Sequence, residues 1–207
     1  MKLSIVNALP DTLRNNSVVI NINKGQRLFR QGDRAECTYL IRRGRFQEIS
    51  YPEIGKIAVL QILNDGEVLG ESSLQTKVYN TTVVAQTDAQ VIAYPNYILL
   101  EILANSPLLI DATVEVFTQK INELQTRLEW RNISVADRRV WQYLKHKLDR
   151  VSEDSDGSNT FILDAPLQEI AAELGFVPGT LSRALAKLEA DRRITRDRNR
   201  ITLHEVA

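Results

Sequence analysis

Over its first half the chain is patterned in short apolar runs: SVVINI (17–22), RLF (27–29), TYLIRR (38–43), IAVLQIL (57–63), TTVVA (81–85) and AQVIAY (89–94). The runs are rich in β-branched residues and are broken at NKGQ, RQGDRAE, RRGR, EIGK and NDGE, where Gly25, Gly32, Gly44, Gly55 and Gly66 fall. Such spacing predicts short strands from residue 17 to about 95, folded as a small sandwich or barrel-like roll. From Asn96 the period changes, and YILLEILANSP predicts a short helix ended by Pro107. Beyond it Ile110, Val114, Phe117, Ile121, Leu124 and Leu128 follow alternating steps of four and three, a heptad seam flanked by Glu115, Lys120, Glu123 and Arg127. A helix with that seam packs either on its own sheet or on the same helix of a second chain, and the narrowness of the stripe favours the second chain.

Ser134 and Asp137 form an S-x-x-D cap ahead of another helix, in which Val135, Val140, Trp141, Leu144 and Leu148 face a C-terminal core. A hinge near Asn132–Ser134 gives three regions: 1–107 as a roll, 108–133 as a dimerisation helix and 134–207 as a C-terminal domain. SEDSDGSN at 152–159 is expected to be an exposed acidic loop.

The C-terminal region decides the class. LQEIAAELGFVPGTLSRALAKLE reads as a helix-turn-helix: Ala171 is small where two helices cross, Gly175 supplies the turn, and Leu181 buries against the first helix. Ile170, Leu174, Leu185 and Leu188 complete the core face, and RRITRDRNRITLHEV reads as a two-stranded hairpin turning at Asp197–Asn199, a wing. From Pro178 onward seven basic residues stand against four acidic ones, although the whole chain has a formal net charge of zero. Thr180, Arg183 and Lys187 lie opposite the leucines, so arginine is placed to reach base edges while lysine and the wing arginines take phosphates.

Composition excludes several chemistries. Cys37 is the only cysteine, which fits a reducing cytoplasm and excludes an internal disulfide or a cluster held by several cysteines of one chain. His146 and His204 are the only histidines, so no metal-ligand spacing exists in the N-terminal half. No catalytic constellation is present, no apolar run is long enough for a membrane span, and the N-terminus does not read as a signal peptide. An enzyme is therefore the least favoured class, and no cofactor is expected.

In its order of parts the chain resembles the cyclic-AMP receptor protein and Fnr (Crp–Fnr) superfamily of bacterial transcription regulators. Gly25, Phe29, Gly32–Asp33, Tyr39, Ile41 and Gly44 match the family's roll pattern, GEVLGE at 66–71 its phosphate-cassette entrance, and LQEIAAELG…TLSRAL its DNA-binding helices. The resemblance implies an α+β fold: a cyclic-nucleotide-binding-like β-roll, a long dimerisation helix through Ile110, Val114, Phe117, Ile121, Leu124 and Leu128, and a winged helix-turn-helix. It implies a cytoplasmic homodimer on a two-fold symmetric duplex, with RNA polymerase as a further partner. Its DNA-contacting positions correspond here to Gln168, Pro178, Gly179, Thr180, Ser182, Arg183, Lys187, Arg198 and Arg200.

The departures from the family pattern are specific. Nucleotide-responsive members add an arginine–serine pair to the cassette, whereas this chain keeps Gly70, Glu71 and Ser72 but carries Asn80 and Thr81. The positions that meet adenine align near Leu124 and Gln125. A buried phosphate without a paired cation is costly, so control by cyclic AMP is not expected. Arg127 is the candidate for sensing a small acid such as 2-oxoglutarate, and a regulator without any effector is the other reading. Pro178 and Gly179 replace base-reading side chains at the start of the recognition helix. That leaves, as the alternative to a DNA-binding regulator, a sensor or interaction module whose DNA-binding or effector part has degraded.

Overall fold

The computed structural model describes residues 11–52, 57–152, 159–163 and 165–204. The turn at Gly55, the first ten residues and most of the acidic loop after Ser152 lie outside the described residues. The chain divides into two compact units, Met1–Lys120 and Ile121–Ala207.

In the first unit the alternating segments form β1 (Val18–Ile22), β2 (Arg27–Phe29), β3 (Cys37–Arg43), β4 (Phe46–Ser50), β5 (Ala58–Leu63), β6 (Val68–Leu69), β7 (Thr82–Ala85) and β8 (Ala89–Pro95). They build two four-stranded sheets of order β1-β8-β3-β6 and β2-β7-β4-β5, all neighbours antiparallel. The register sets Ile41 opposite Val91 and Phe46 opposite Ala85, so the apolar faces of the two sheets meet in a core with Phe29, Leu63, Leu69, Tyr79 and Val83. At the β3–β4 hairpin Gly44 has φ +108°, and a Cβ there would stand 2.5 Å from that of Ala89, so only glycine closes this turn.

The other face of the β8–β3 pair is apolar as well. Leu40, Ile92 and Tyr94 carry Leu13 of α1 (Asp11–Asn15) and Ile98 of α2 (Asn96–Asn105). Pro107 is the first residue of α3 (Pro107–Asn132), where its missing N–H costs no hydrogen bond, and the two helices meet at 117°. Leu109 of α3 is buried, while Ile110, Val114, Ile121, Leu124 and Leu128 are 44–62% exposed; Phe117, in the same seam, is half-buried.

In the second unit α4 (Ala136–Ser152), α5 (Leu167–Glu173) and α6 (Pro178–Ala190) close on a three-stranded sheet of order β10-β11-β9, made by β9 (Thr160–Ile162), β10 (Ile194–Asp197) and β11 (Arg200–Leu203). Trp130, Val140, Tyr143, Leu144, Phe161, Leu181, Leu185 and Ile201 share one core. Two sequence expectations change here. Val135 precedes the first helical residue and is exposed, and Tyr143 takes the inward place, fully buried. The wing is three-stranded rather than two-stranded, because Thr160–Ile162 pairs with β11 and inserts Phe161.

Candidate nucleic-acid interface and cradle

The helix-turn-helix follows from its small residues. Ala171 is buried beneath the crossing, and its carbonyl accepts the Phe176 N–H at 2.7 Å. Gly175 turns the chain with φ +71°. Pro178 opens α6, whose leucines face inward and leave Pro178, Gly179, Ser182, Arg183 and Lys187 exposed, with Gln168 exposed on α5 and Thr180 half-buried. A Cβ on Gly179 would meet nothing within 4 Å, so this glycine leaves a bare, open position at the helix start.

The basic groups are not equally free. Arg183 lies along its own helix, its Nε donating to the Gly179 carbonyl at 3.2 Å and an Nη to Thr180 Oγ1 at 3.4 Å. Lys187 Nζ stands 2.6 Å from Asp137 Oδ2, and the hydrogen bond from that ammonium holds the Asp137 carboxyl below its ordinary range. Arg196 is paired with Glu189 at 2.6 Å, and Arg193 stacks 3.9 Å over Trp141. Arg198 and Arg200 are exposed in the wing, and Arg198 holds the turn with φ +56°, a strained position for an arginine. The structure thus brings the predicted DNA-contacting residues onto the exposed surfaces of α5, α6 and the wing, with Lys187 already engaged by an acid.

Two side chains missed by sequence reasoning fix this unit. The Arg139 guanidinium donates to the carbonyls of Arg131 (3.1 Å), Ile133 (2.6 Å) and Leu174 (2.9 Å) and lies 4.6 Å over the Phe176 ring, tying the end of α3 to the end of α5. Buried Glu173 accepts Arg127 at 3.4 Å. The effector candidate Arg127 is therefore bound to an acid of its own unit, and Leu124 projects from the exposed seam.

The turn carrying Gly70 and Glu71 is met by a side chain of its own unit. Gly70 has φ +79°, and a Cβ there would approach Tyr79 Cε1 to 3.1 Å, so glycine alone admits the short 3₁₀ turn Glu71–Ser73. Glu71, however, faces a cation: Lys120 Nζ of α3 stands 3.1 Å away, both side chains under a fifth exposed. Burial pushes the Glu71 carboxyl up, Lys120 opposes it, and the charge of nearby Glu48 adds to the rise. Thr81 Oγ1 donates to Glu48 at 2.6 Å, and buried Gln61 donates to the other oxygen of Glu48. Asn80 donates its backbone N–H to Ser73 Oγ at 3.3 Å, while its side chain and Ser72 are exposed. Among the described residues the carboxylates of Glu71 and Glu48 and the ammonium of Lys120 thus stand close together at this turn.

Among the described residues no group of histidine, cysteine and carboxylate side chains could hold a metal ion, and no single helix is long and apolar enough to cross a membrane.

Residues 19–106 match the model of the cyclic nucleotide-binding domain, and residues 138–207 that of the Crp-like helix-turn-helix domain. The chain is 26% identical over 168 residues to the transcriptional activator protein FnrA of Stutzerimonas stutzeri, covering 81% of this chain and 69% of that one. Among solved structures, FixK2 of Bradyrhizobium japonicum superposes with a TM-score of 0.74 at 17% identity, covering 91% of this chain and 93% of its own. A CooA mutant of Carboxydothermus hydrogenoformans superposes with a TM-score of 0.79 at 16% identity, covering 99% and 92%.

Proposed function

We propose, from the premise that the chain belongs to the Crp–Fnr family of transcription regulators, that it acts as a cytoplasmic homodimer on two-fold symmetric duplexes and without conventional control by cyclic AMP. The Glu71–Lys120 pair carries the second half of this reading. A cyclic phosphate placed beside Gly70 would meet the Glu71–Lys120 pair and the nearby Glu48 carboxylate, so binding would have to break a half-desolvated pair. The exposed stripe of Ile110, Val114, Ile121, Leu124 and Leu128 supports the dimer, since a second copy of α3 would bury it by the same spacing. Two copies of α6 would then enter successive major grooves about 34 Å apart. Arg183 reads bases, Thr180 and Gln168 position the helix on phosphates, and Lys187, Arg198 and Arg200 supply the electrostatic hold. RNA polymerase is the partner through which such a regulator would act.

The decisive experiment is selection from random duplexes with the ligand-free, full-length protein, followed by salt titration on the winning sequence. A two-fold symmetric site and an affinity falling steeply with salt are expected. Addition of cyclic AMP should leave the affinity within about twofold, and a gain of tenfold or more would overturn the effector part. Absence of any enriched site would overturn the regulator part in favour of an interaction module. Sedimentation of a Leu124→Glu variant as a monomer tests the seam.

A further inference from the structure

The first unit contains a second space, which adjoins the cradle through Glu71. It lies on the outer face of the β8-β3-β6 portion of the sheet, under the corner where α2 and α3 meet at 117°, and measures about 140 Å³. Leu40 and Val68, side by side in the β3–β6 register, form its floor, and Leu99, Leu103, Val116 and Phe117 form its walls. The apolar contacts between the sheets of the roll lie on the opposite side of these strands.

We infer that this cavity is a binding site for a small neutral apolar molecule, a single aromatic ring or a hydrocarbon chain of similar bulk. Size is the first argument: an apolar space of about 150 Å³ lined by leucine, isoleucine and phenylalanine is enough to accept benzene. Polarity is the second. Thr38 Oγ1 donates to Asn96 Oδ1 at 2.8 Å and Thr113 Oγ1 to the Leu109 carbonyl at 2.7 Å, so both threonine hydroxyls of the wall are spent on the protein, beside the two tyrosines Tyr39 and Tyr94. Glu71, the charged group at the wall, is spent on Lys120. Water would find few partners there.

Position gives the site a consequence. Phe117 is the seam residue that α3 turns toward the cavity, between exposed Val114 and Ile121. An occupant pressing on Phe117 and Val116 bears on the helix directly behind the apolar stripe. Ala112 is the smallest side chain on the wall, and a leucine there would take up the space of a ring. The site stands on the first unit alone and does not require the DNA-binding reading.

Toluene is the probe, used with the full-length protein. At about ten times its Kd it should raise the Tm by roughly 3–5 °C, as mass action predicts for a chain of this size. Methyl resonances of Leu99, Leu103 and Val116 should move in the same titration. Ala112→Leu should abolish both responses while leaving the unliganded Tm unchanged or higher. Leu103→Ala, which enlarges the cavity, should admit naphthalene. No response in the unmodified protein, an equal response in Ala112→Leu, or exclusion of naphthalene by Leu103→Ala would each overturn the site.

Discussion

Two ion pairs of similar length behave oppositely in this molecule. Lys120 meets Glu71 at 3.1 Å inside the roll, with the side chains 18% and 14% exposed, whereas Lys187 meets Asp137 at 2.6 Å on the helix-turn-helix with the lysine 59% exposed. Burial pushes Glu71 up in spite of its lysine, while the hydrogen bond from Lys187 pulls Asp137 down. The difference lies in water. A solvated lysine can leave its carboxylate for a phosphate at little cost, because its ammonium stays hydrated during the exchange, although Asp137 itself is only 17% exposed. The enclosed pair has no such freedom, since either member released from the other would remain desolvated. On the proposed function the roll keeps the Glu71–Lys120 pair to itself, and the helix-turn-helix offers Lys187 to a polyanion.

The largest expected effect tests the enclosed pair. Glu71→Ala leaves Lys120 unpaired and should lower the stability of the roll by about 2–4 kcal/mol in denaturant titration, whereas Glu71→Leu with Lys120→Met should recover most of that loss. Loss of under about 0.5 kcal/mol in the single variant would show the pair to be as solvated as a surface one and would erase the contrast. The pH dependence has a definite sign. The Glu71 carboxyl sits above its ordinary 4.5, so its charged form is the disfavoured one in the fold. Relative to Glu71→Gln, the unmodified protein should gain stability as pH falls through the raised value toward 4.5, with nothing further gained below it.

Much of this arrangement was legible in the chain. Strand runs, the heptad stripe and the Ala171, Gly175 and Leu181 spacing depend on local periodicity, and each appears as an element in the fold. What escaped depends on pairs distant in sequence. Lys120 sits among the seam's polar flanks in the sequence, and only the approach of the Gly70 turn gives it Glu71 as partner. Glu48, Gln61 and Thr81 come from three different strand segments and meet through the β4–β5 and β4–β7 pairings. Arg127 has the look of a solvated flank, yet Glu173 is 46 positions away along the chain and buried beside it. Phe161 belongs to a three-residue strand after an acidic loop, too short for alternation to declare itself.

The next effect separates base reading from charge on the offered surface. Arg183→Ala should cost about 1–3 kcal/mol on the selected site and much less on random duplex, because a guanidinium that grips a base edge discriminates among sequences. Its loose bonds to Gly179 and Thr180, at 3.2 and 3.4 Å, are ones it can give up on docking. Lys187→Ala should instead weaken all duplexes alike and reduce the slope of log affinity against log salt by about one. Equal losses on specific and random duplex in both variants would make the whole face a nonspecific basic patch.

The smallest effect bears on the solvated pair itself. Asp137→Ala frees Lys187, so the ammonium meets a phosphate without first leaving a carboxylate, and one negative charge leaves the neighbourhood of the DNA. Affinity for duplex should rise about two- to threefold at low salt, the gain shrinking as salt screens the removed charge. The depressed Asp137 carboxyl also sets a pH mark opposite to that of Glu71: its contribution to stability is present above 3.8 and is lost as pH falls through the lowered folded value, and Asp137→Asn should lack that step. A gain in DNA affinity that persists unchanged at high salt would mean that Asp137 acts by positioning α4 against α6. The exposed pair would then be a structural clasp like the one in the roll, and the distinction between spent and offered charge would fail at the place where it is easiest to measure.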